Sequence, residues 1–267
     1  MNVKLNKKNK KKDSDLFVAI FKYFFRGLAF FLLLFIVAYI FYLIYNKYVN
    51  DPKYIIQKYD VAGNKTISST EILELFKDRT NDNIYVTFLD SYYERLTNHP
   101  NVKNVKITKI PPDKLRIKIE EYDALAVIKN NSGLKFPISD SGKILSEKKL
   151  LNSESLPQLI GMPSHTKYVA GKYLEHTHVL NILKYIKQVN THEKKELLDV
   201  SYINLSNYND MVFYANENNM EIHFNENYDA KLIDKLFLIL QEFNKTNKNI
   251  KKIDMRFNNF PTEFEKE

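Results

Sequence analysis

The residue types that could do chemistry in this chain are six histidines, one pair of glutamates and an alternating aromatic run near the C-terminus. The histidines are His99, His165, His176, His178, His192 and His223. His176-x-His178 would place both rings on one side of a strand but about 200° apart on a helix. Its surroundings read as a helix start, so a shared metal is not expected there. Glu120-Glu121 close a predicted strand, where neighbours point to opposite faces and cannot work as a paired acid and base. The six glycines, at 27, 63, 133, 142, 161 and 171, form no phosphate-cradling loop, and there is no Gly-x-Ser-x-Gly elbow. No catalytic, cofactor-binding or metal-binding residue is assigned, and the chain is expected not to be an enzyme.

What the residues do offer is a strand edge. Phe260, Thr262 and Phe264 alternate with Pro261 and Glu263. Proline fits an edge because it cannot donate to a ladder, and an edge has unpaired N–H and C=O groups to which another chain can add a strand. Just upstream, Ile253, Met255 and Phe257 are expected to face a core, with Asp254 and Arg256 on the opposite side, open to neighbours or to a partner. Asp254, Arg256, Phe257, Phe260, Thr262 and Phe264 are the candidate partner-binding residues. On the residues alone, a frayed terminus over 258–267 is an equal reading.

The element that positions everything else is the stretch 27–46, which carries no charge and lies between Arg26 and Lys47. As a helix rising ~1.5 Å per residue it spans ~30 Å, the hydrocarbon thickness of a bilayer. Tyr39, Tyr42, Tyr45 and Tyr48 crowd its C-terminal end, where amphipathic rings favour the membrane–water interface. Residues 1–26 hold eight Lys and Arg against two Asp, a balance of +6, and the other 241 residues share only +2 of the total of +8. Basic residues beside a span stay in the cytoplasm, so the N-terminus is expected inside and everything after Lys47 outside. A cleaved signal peptide would need a shorter apolar run and a small-residue cleavage site, and neither is present. The Lys-rich tail has no aromatics before Phe17, so it reads as a topogenic, lipid-touching tail and not a nucleic-acid binder. With no cysteine, the exported part must be held by its core alone.

Beyond the span, the residues predict a strand over 53–61, a turn at Ala62-Gly63-Asn64-Lys65, and a helix from Ser68-x-x-Glu71 to about Arg79. A second short helix starts at Ser91-x-x-Glu94 and stops at His99-Pro100. Two strands with period-two alternation follow, Val105 and Ile107 in one, Leu115, Ile117 and Ile119 in the other, joined through Pro111-Pro112-Asp113-Lys114. The later residues predict strands at 124–129, 134–138, 143–145, 200–205, 211–215, 220–224 and 250–257, with turn chemistry at 207–210 and 216–219. They also predict amphipathic helices at 173–190 and 228–243. The domains are a basic tail (1–26), a span (27–46), a β-α-α-β-β unit (53–123) and a mixed β-rich unit (124–267), giving an α+β fold.

Three groups of residues, Val61-x-Gly63-Asn64, Leu96-x-x-x-Pro100-x-Val102-x-x-Val105 and Pro112-x-x-Leu115-x-Ile117, resemble a POTRA domain, in particular that of the DivIB/FtsQ cell-division proteins. Where that family shows a Pro two residues before an Ala, this chain has Ala124 before Ala126. Leu156-Pro157-Gln158-Leu159-Ile160-Gly161 resembles the family's Leu-Pro-containing loop, and Ile253-Asp254-Met255-Arg256-Phe257 resembles its Asp-Leu-Arg-Tyr run. The resemblance covers about residues 15–265 and implies a non-enzymatic divisome scaffold at the septum, linking assembly to peptidoglycan synthesis. The implied partners are FtsL and DivIC/FtsB, both single-span proteins, and the septal penicillin-binding protein. The segment 260–266 falls where the family has a partner-binding edge strand. Two rival readings are a POTRA-containing outer-membrane or export assembly factor, which would need a barrel of ~10-residue alternating segments, and a membrane-anchored wall-modifying enzyme.

Overall fold

The structure is a computed structural model that describes residues 2–130, 132–152, 155–162, 167–216, 219–227, 229–246 and 249–264, with the backbone alone described at 2–16 and 19. His165, Tyr228, the middle of the turn at 216–219, and Lys266 therefore lie outside the described residues. Two compact units make up the chain. One comprises Met1–Lys58, Arg79–Phe88 and Lys109–Leu115, and the other Tyr59–Asp78, Leu89–Thr108 and Arg116–Glu267.

The first unit is built on a single helix, α1 (Asn2–Val49). It runs without a break from the basic tail into the apolar stretch, so the tail is helical too. Within it Ile20–Val49 is long and apolar enough to cross a membrane, and none of that apolar window is buried. A helix that is apolar on every face has no side to turn to water. After it, Asp51 caps a short 3-10 turn at Pro52–Tyr54, its carboxylate accepting from the Lys53 N–H at 2.9 Å. That turn corrects the expected strand start, because β1 (Lys58–Ala62) begins only after it.

In the second unit Ser68 caps α2 (Ser69–Glu74), its hydroxyl accepting from the Glu71 N–H at 3.1 Å. The helix ends earlier than Arg79, and the Arg95 guanidinium takes up the Leu75 carbonyl at 2.7 Å while pairing with Asp78. Arg95 belongs to α3 (Asp90–Thr97), and β2 (Val102–Ile110) and β3 (Lys114–Glu121) follow. Strand order is β1-β3-β2. Tyr59, Phe76 and Tyr92 stack in series, with ring centroids 5.8 and 4.8 Å apart. Gly63, at φ +83°, turns the chain where a Cβ would collide with the Ile119 carbonyl.

The larger sheet orders its strands β11-β10-β9-β8-β7-β6-β4-β5. In chain order these are β4 (Ala124–Lys129), β5 (Lys135–Ser139), β6 (Gln158–Ile160), β7 (Val200–Asn204), β8 (Met211–Ala215), β9 (Met220–Phe224), β10 (Ile250–Asp254) and β11 (Thr262–Phe264). Three pairs are parallel, β4 with β6, β6 with β7 and β9 with β10, and the last two have helical crossovers. Helix α4 (Thr177–Thr191) supplies the crossover from β6 to β7 and α5 (Ala230–Lys245) that from β9 to β10. Helix α4 starts four residues later than expected. The loop before it is occupied, since the Tyr173 hydroxyl bonds to that of Tyr122 at 3.0 Å and the Gly171 N–H donates to Ile144 O.

Ile182, Ile186, Phe213, Phe224, Ile233 and Leu236 are buried together between the helices and one face of the sheet. The other face is more open, which gives β8 its alternation of buried Met211, Phe213 and Ala215 with half-buried Val212 and Tyr214. The expected strand at 143–145 reduces to single bridges, and β6 occupies what had been expected as a Leu-Pro loop.

The end of β3 carries the most heavily bonded carboxylate. Glu121 accepts from three successive backbone N–H groups, those of Lys65 at 2.6 Å, Thr66 at 3.0 Å and Ile67 at 3.1 Å, and from Lys149 Nζ at 2.8 Å. Its side chain is fully buried. Glu120, on the opposite face, pairs with Lys103 at 2.7 Å in the open, as the strand alternation requires. Burial works against the Glu121 charge, but the bonds from Lys149, Ile67 and Lys65 overcome it and lower the pKa from 4.5 to about 2. A folded pKa below the unfolded one stabilises above the unfolded value and is lost as pH falls. Glu121 is therefore expected to contribute about 3 kcal/mol at neutral pH, disappearing between pH 4.5 and about 2. Urea unfolding should show Glu121→Gln less stable than the parent at pH 7, with the difference closing below pH 3.

Candidate functional site

Edge strand β11 pairs antiparallel with β10 alone, in the register Ile253 to Thr262, Lys252 to Glu263 and Ile250 to Phe264. A bulge between Ile250 and Lys252 breaks the ladder and twists the pair. The turn joining the two strands is fixed by its own polar groups. Asp254 accepts from the Arg256 backbone N–H at 3.1 Å and from its Nε at 2.8 Å, and the Asp254 N–H donates to Pro261 O at 2.9 Å. Phe260 sits at φ +45°, a left-handed conformation that side chains resist. Its carbonyl accepts from the Thr262 hydroxyl at 3.0 Å, and Lys235 Nζ lies 5.2 Å from its ring centre.

The candidate residues differ in the way they face. Asp254 and Arg256 are turned inward to one another and to the chain. Arg256 Nη1 reaches Asp210 at 2.9 Å, and Asp210 accepts from or shares a proton with His223 Nδ1 at 2.6 Å. Glu221 lies 3.4 Å from the other ring nitrogen of His223. Burial raises the Asp254 pKa and the Arg256 hydrogen bonds more than reverse it, so its carboxyl is held below the ordinary range. The Arg256 pKa is raised, chiefly by its bond to Asp254.

Phe257, Thr262 and Phe264 form the outward group, while Phe260 is half-buried and packs against the core of the larger sheet. Phe257 is 54% exposed and corrects the expectation that it faces the core. Strand β10 stops at Asp254 because the Asp254–Arg256 turn diverts the chain, leaving Ile253 and Met255 as the buried residues. The Phe264 ring meets Phe243 of α5 edge-on at 5.1 Å and is still 38% exposed. On the same helix Leu238 is 61% exposed.

Two supports of the edge escaped the sequence reading. His223 and Asp210 belong to the network behind Arg256, although His223 carried no spacing signal and Asp210 read only as a turn residue. Phe237 is buried on α5 beside Ile233, Leu236 and Leu240. The helix is also pinned at its start, where Asp229 caps it and donates its N–H to the Tyr185 hydroxyl at 3.2 Å.

Among the other described histidines, His176 and His178 pack against Tyr208. His178 stacks on Tyr208 with ring centres 4.2 Å apart and bonds Glu226 at 3.0 Å. His176 precedes α4 as its N-cap and reaches the Tyr208 hydroxyl at 3.2 Å. Among the described residues no three His, Asp or Glu side chains come together as a metal site.

A family model for the POTRA domain, FtsQ-type, matches residues 56–122, and one for the C-terminal part of cell division protein FtsQ/DivIB matches residues 126–256. Among individual proteins, the cell division protein DivIB of Clostridium botulinum (strain Hall) is 31% identical over 110 residues, 41% of this chain and 43% of the relative. That of Clostridium acetobutylicum is 32% identical over 112 residues, 42% of this chain and 44% of the relative. That of Clostridium tetani is 22% identical over 192 residues, 72% of each. The matched stretch thus spans less than half the length of the first two relatives. An apolar N-terminal helix, a POTRA domain and a β-rich C-terminal domain define a division protein of the membrane-anchored class. The chain belongs to the DivIB/FtsQ family of cell-division proteins.

Replacing Arg256 with Ala should leave Asp254 buried without its cation and lower stability by about 2–3 kcal/mol. Arg256→Lys should recover only part of that loss, because the two-pronged bond to Asp254 needs a guanidinium. Denaturant midpoints of the two variants check both outcomes.

Proposed function

We propose that this protein is a non-enzymatic scaffold of the divisome that receives a partner by strand addition at the outer edge of β11. The observation that carries the reading is the placement of Thr262 and Phe264 on the outermost strand, with Phe257 exposed in the turn before it and Phe243 of α5 against the Phe264 ring. Main-chain groups of the edge would supply affinity, and the aromatic side chains beside it would select the partner. The partners it fits are single-span division proteins of the FtsL and DivIC/FtsB type, through which septal assembly would be linked to peptidoglycan synthesis by the septal penicillin-binding protein. Asp254 and Arg256 act here by holding the turn that presents the edge, so their part in binding is indirect.

In this reading the N-terminus is cytoplasmic, as the +6 balance of residues 1–26 favours, and the folded part faces outward at the septum. Partners held in the same membrane plane meet the edge at high effective concentration, so a short strand contact is enough.

Phe264→Asp, or removal of residues 258–267, is expected to abolish pull-down of the DivIC-like partner while the circular dichroism spectrum stays that of the parent. Binding that survives both changes would sink the edge-strand reading. A peptidoglycan zymogram of the full chain is expected to show no clearing. Activity that disappears on mutation of a local carboxylate would favour a wall-modifying enzyme instead.

A further inference from the structure

The first compact unit joins the membrane helix to two loops, and one of those loops carries an exposed aromatic tip. Asn83 is the joint. Its side-chain amide donates to the carbonyls of Tyr48 at 2.8 Å and Val49 at 3.0 Å, two of the orphan carbonyls at the end of α1. Its oxygen accepts from the Tyr85 N–H at 2.8 Å, and Asn83 itself is buried. The backbone adds to this, with Ile84 N–H donating to Tyr54 O and Ile56 N–H to Asp82 O, both at 2.8 Å. Tyr48, Tyr54 and Tyr85 close into a triangle with ring centres 5.0–5.5 Å apart. The loop is thus clamped to the point where the helix leaves the apolar stretch.

That point sets a depth. Tyr48, in the last turn of α1, lies only about 3 Å along the helix beyond Asn46, and the headgroup layer on each side of a bilayer is roughly 5–7 Å thick. The loop around Asn83 is therefore held at the level of that layer. There it exposes Phe88 (82%), Tyr85 (47%) and Val86 (45%), a cost in water and a fit at a membrane interface. The nearby charges are mixed, with Asp51, Asp82 and Asp90 set against Lys47, Lys53, Arg79 and Lys109, and Asp82 pairs with Arg79 at 3.6 Å. Lys109 Nζ donates to Thr87 O at 2.7 Å, and Lys47 and Lys53 lie over the rings of Tyr48 and Tyr54, with Asp51 beside them. The lysines among these suit phospholipid phosphates.

We propose that the loop of residues 83–88 is a second membrane contact, inserting Tyr85, Val86 and Phe88 into the headgroup and upper acyl region of the bilayer that α1 crosses. Asn83 is its positioning residue. The proposal rests on the reading of residues 27–46 as the span.

The chain has no tryptophan, so a single introduced indole reports its own surroundings. Full-length Phe88→Trp and Leu34→Trp would be reconstituted separately in phosphatidylcholine–phosphatidylglycerol vesicles. The phosphatidylcholine is brominated either close to the headgroup or close to the end of the acyl chain. Leu34→Trp is expected to be quenched most by the deep bromines, and Phe88→Trp to show blue-shifted emission quenched most by the shallow ones. Adding Asn83→Ala to Phe88→Trp should weaken the shallow quenching and shift the emission toward the red. A red-emitting Phe88→Trp, open to iodide and untouched by either brominated lipid while Leu34→Trp is quenched, would overturn the loop contact and leave the span standing. Loss of quenching at Leu34→Trp as well would overturn the span, and the loop proposal with it. Phe88 is the most exposed of the three side chains, so its replacement does not disturb packing.

Discussion

The buried carboxylate of Glu121 constrains the second unit more tightly than any other single group. A charge out of water is costly unless each of its lone pairs is met, and here three backbone N–H groups and one ammonium meet them. Those donors come from two separate places: the run 65–67 between Gly63 and α2, and the 3-10 turn Glu147–Asn152 that holds Lys149. The last residue of β3 therefore fixes the course of the chain both before the first short helix and well after the strand. Close by, Asn101 is fully buried and bonds Ser146 twice, accepting its N–H at 2.9 Å and donating to its hydroxyl at 2.8 Å. Lys143, also buried, donates to Val102 O at 3.2 Å, and desolvation lowers its pKa. Residues 99–102 and 143–146 are thus held together by buried polar groups. For a chain without disulfides, such bonds supply the constraint that cross-links would otherwise give.

Much of this architecture could be read in advance where one physical signal dominated. Period two in Leu115, Ile117 and Ile119 marked β3 because one face of a sheet packs and the other meets water. Ser68 marked the start of α2 because its hydroxyl has a single good use there. Signals failed where distant partners decided the outcome. Strand β6 is three residues long and exists because β4 and β7 flank it on both sides, which nothing in Gln158-Leu159-Ile160 reveals. The start of α4 was misplaced because Tyr173 is engaged by a residue 51 positions away.

The candidate edge divides along the same line. The outermost position of Thr262 and Phe264 was legible from the proline and aromatic spacing, whereas Phe260 lies before β11 in a left-handed turn and falls outside that alternation. The end of β10 was not legible either. Asp254 and Arg256 looked like an outward pair in a continuing strand, and their bonds to one another and to Asp210 turn the chain before Phe257. A side chain that bonds its own backbone two residues on can end a strand that its neighbours' hydrophobicity would continue. Phe257 thereby moves from the core to the surface.

The bulge between Ile250 and Lys252 and the three-residue length of β11 have a consequence for crowding. A long flat edge would template any extended segment that drifted against it, including a copy of itself, and would seed aggregates. A short, twisted edge offers too few ladder bonds to hold a stranger. In the proposed binding mode, only a chain that brings matching side chains to the neighbouring helix would gain enough to stay, so the poverty of the strand would itself be a filter.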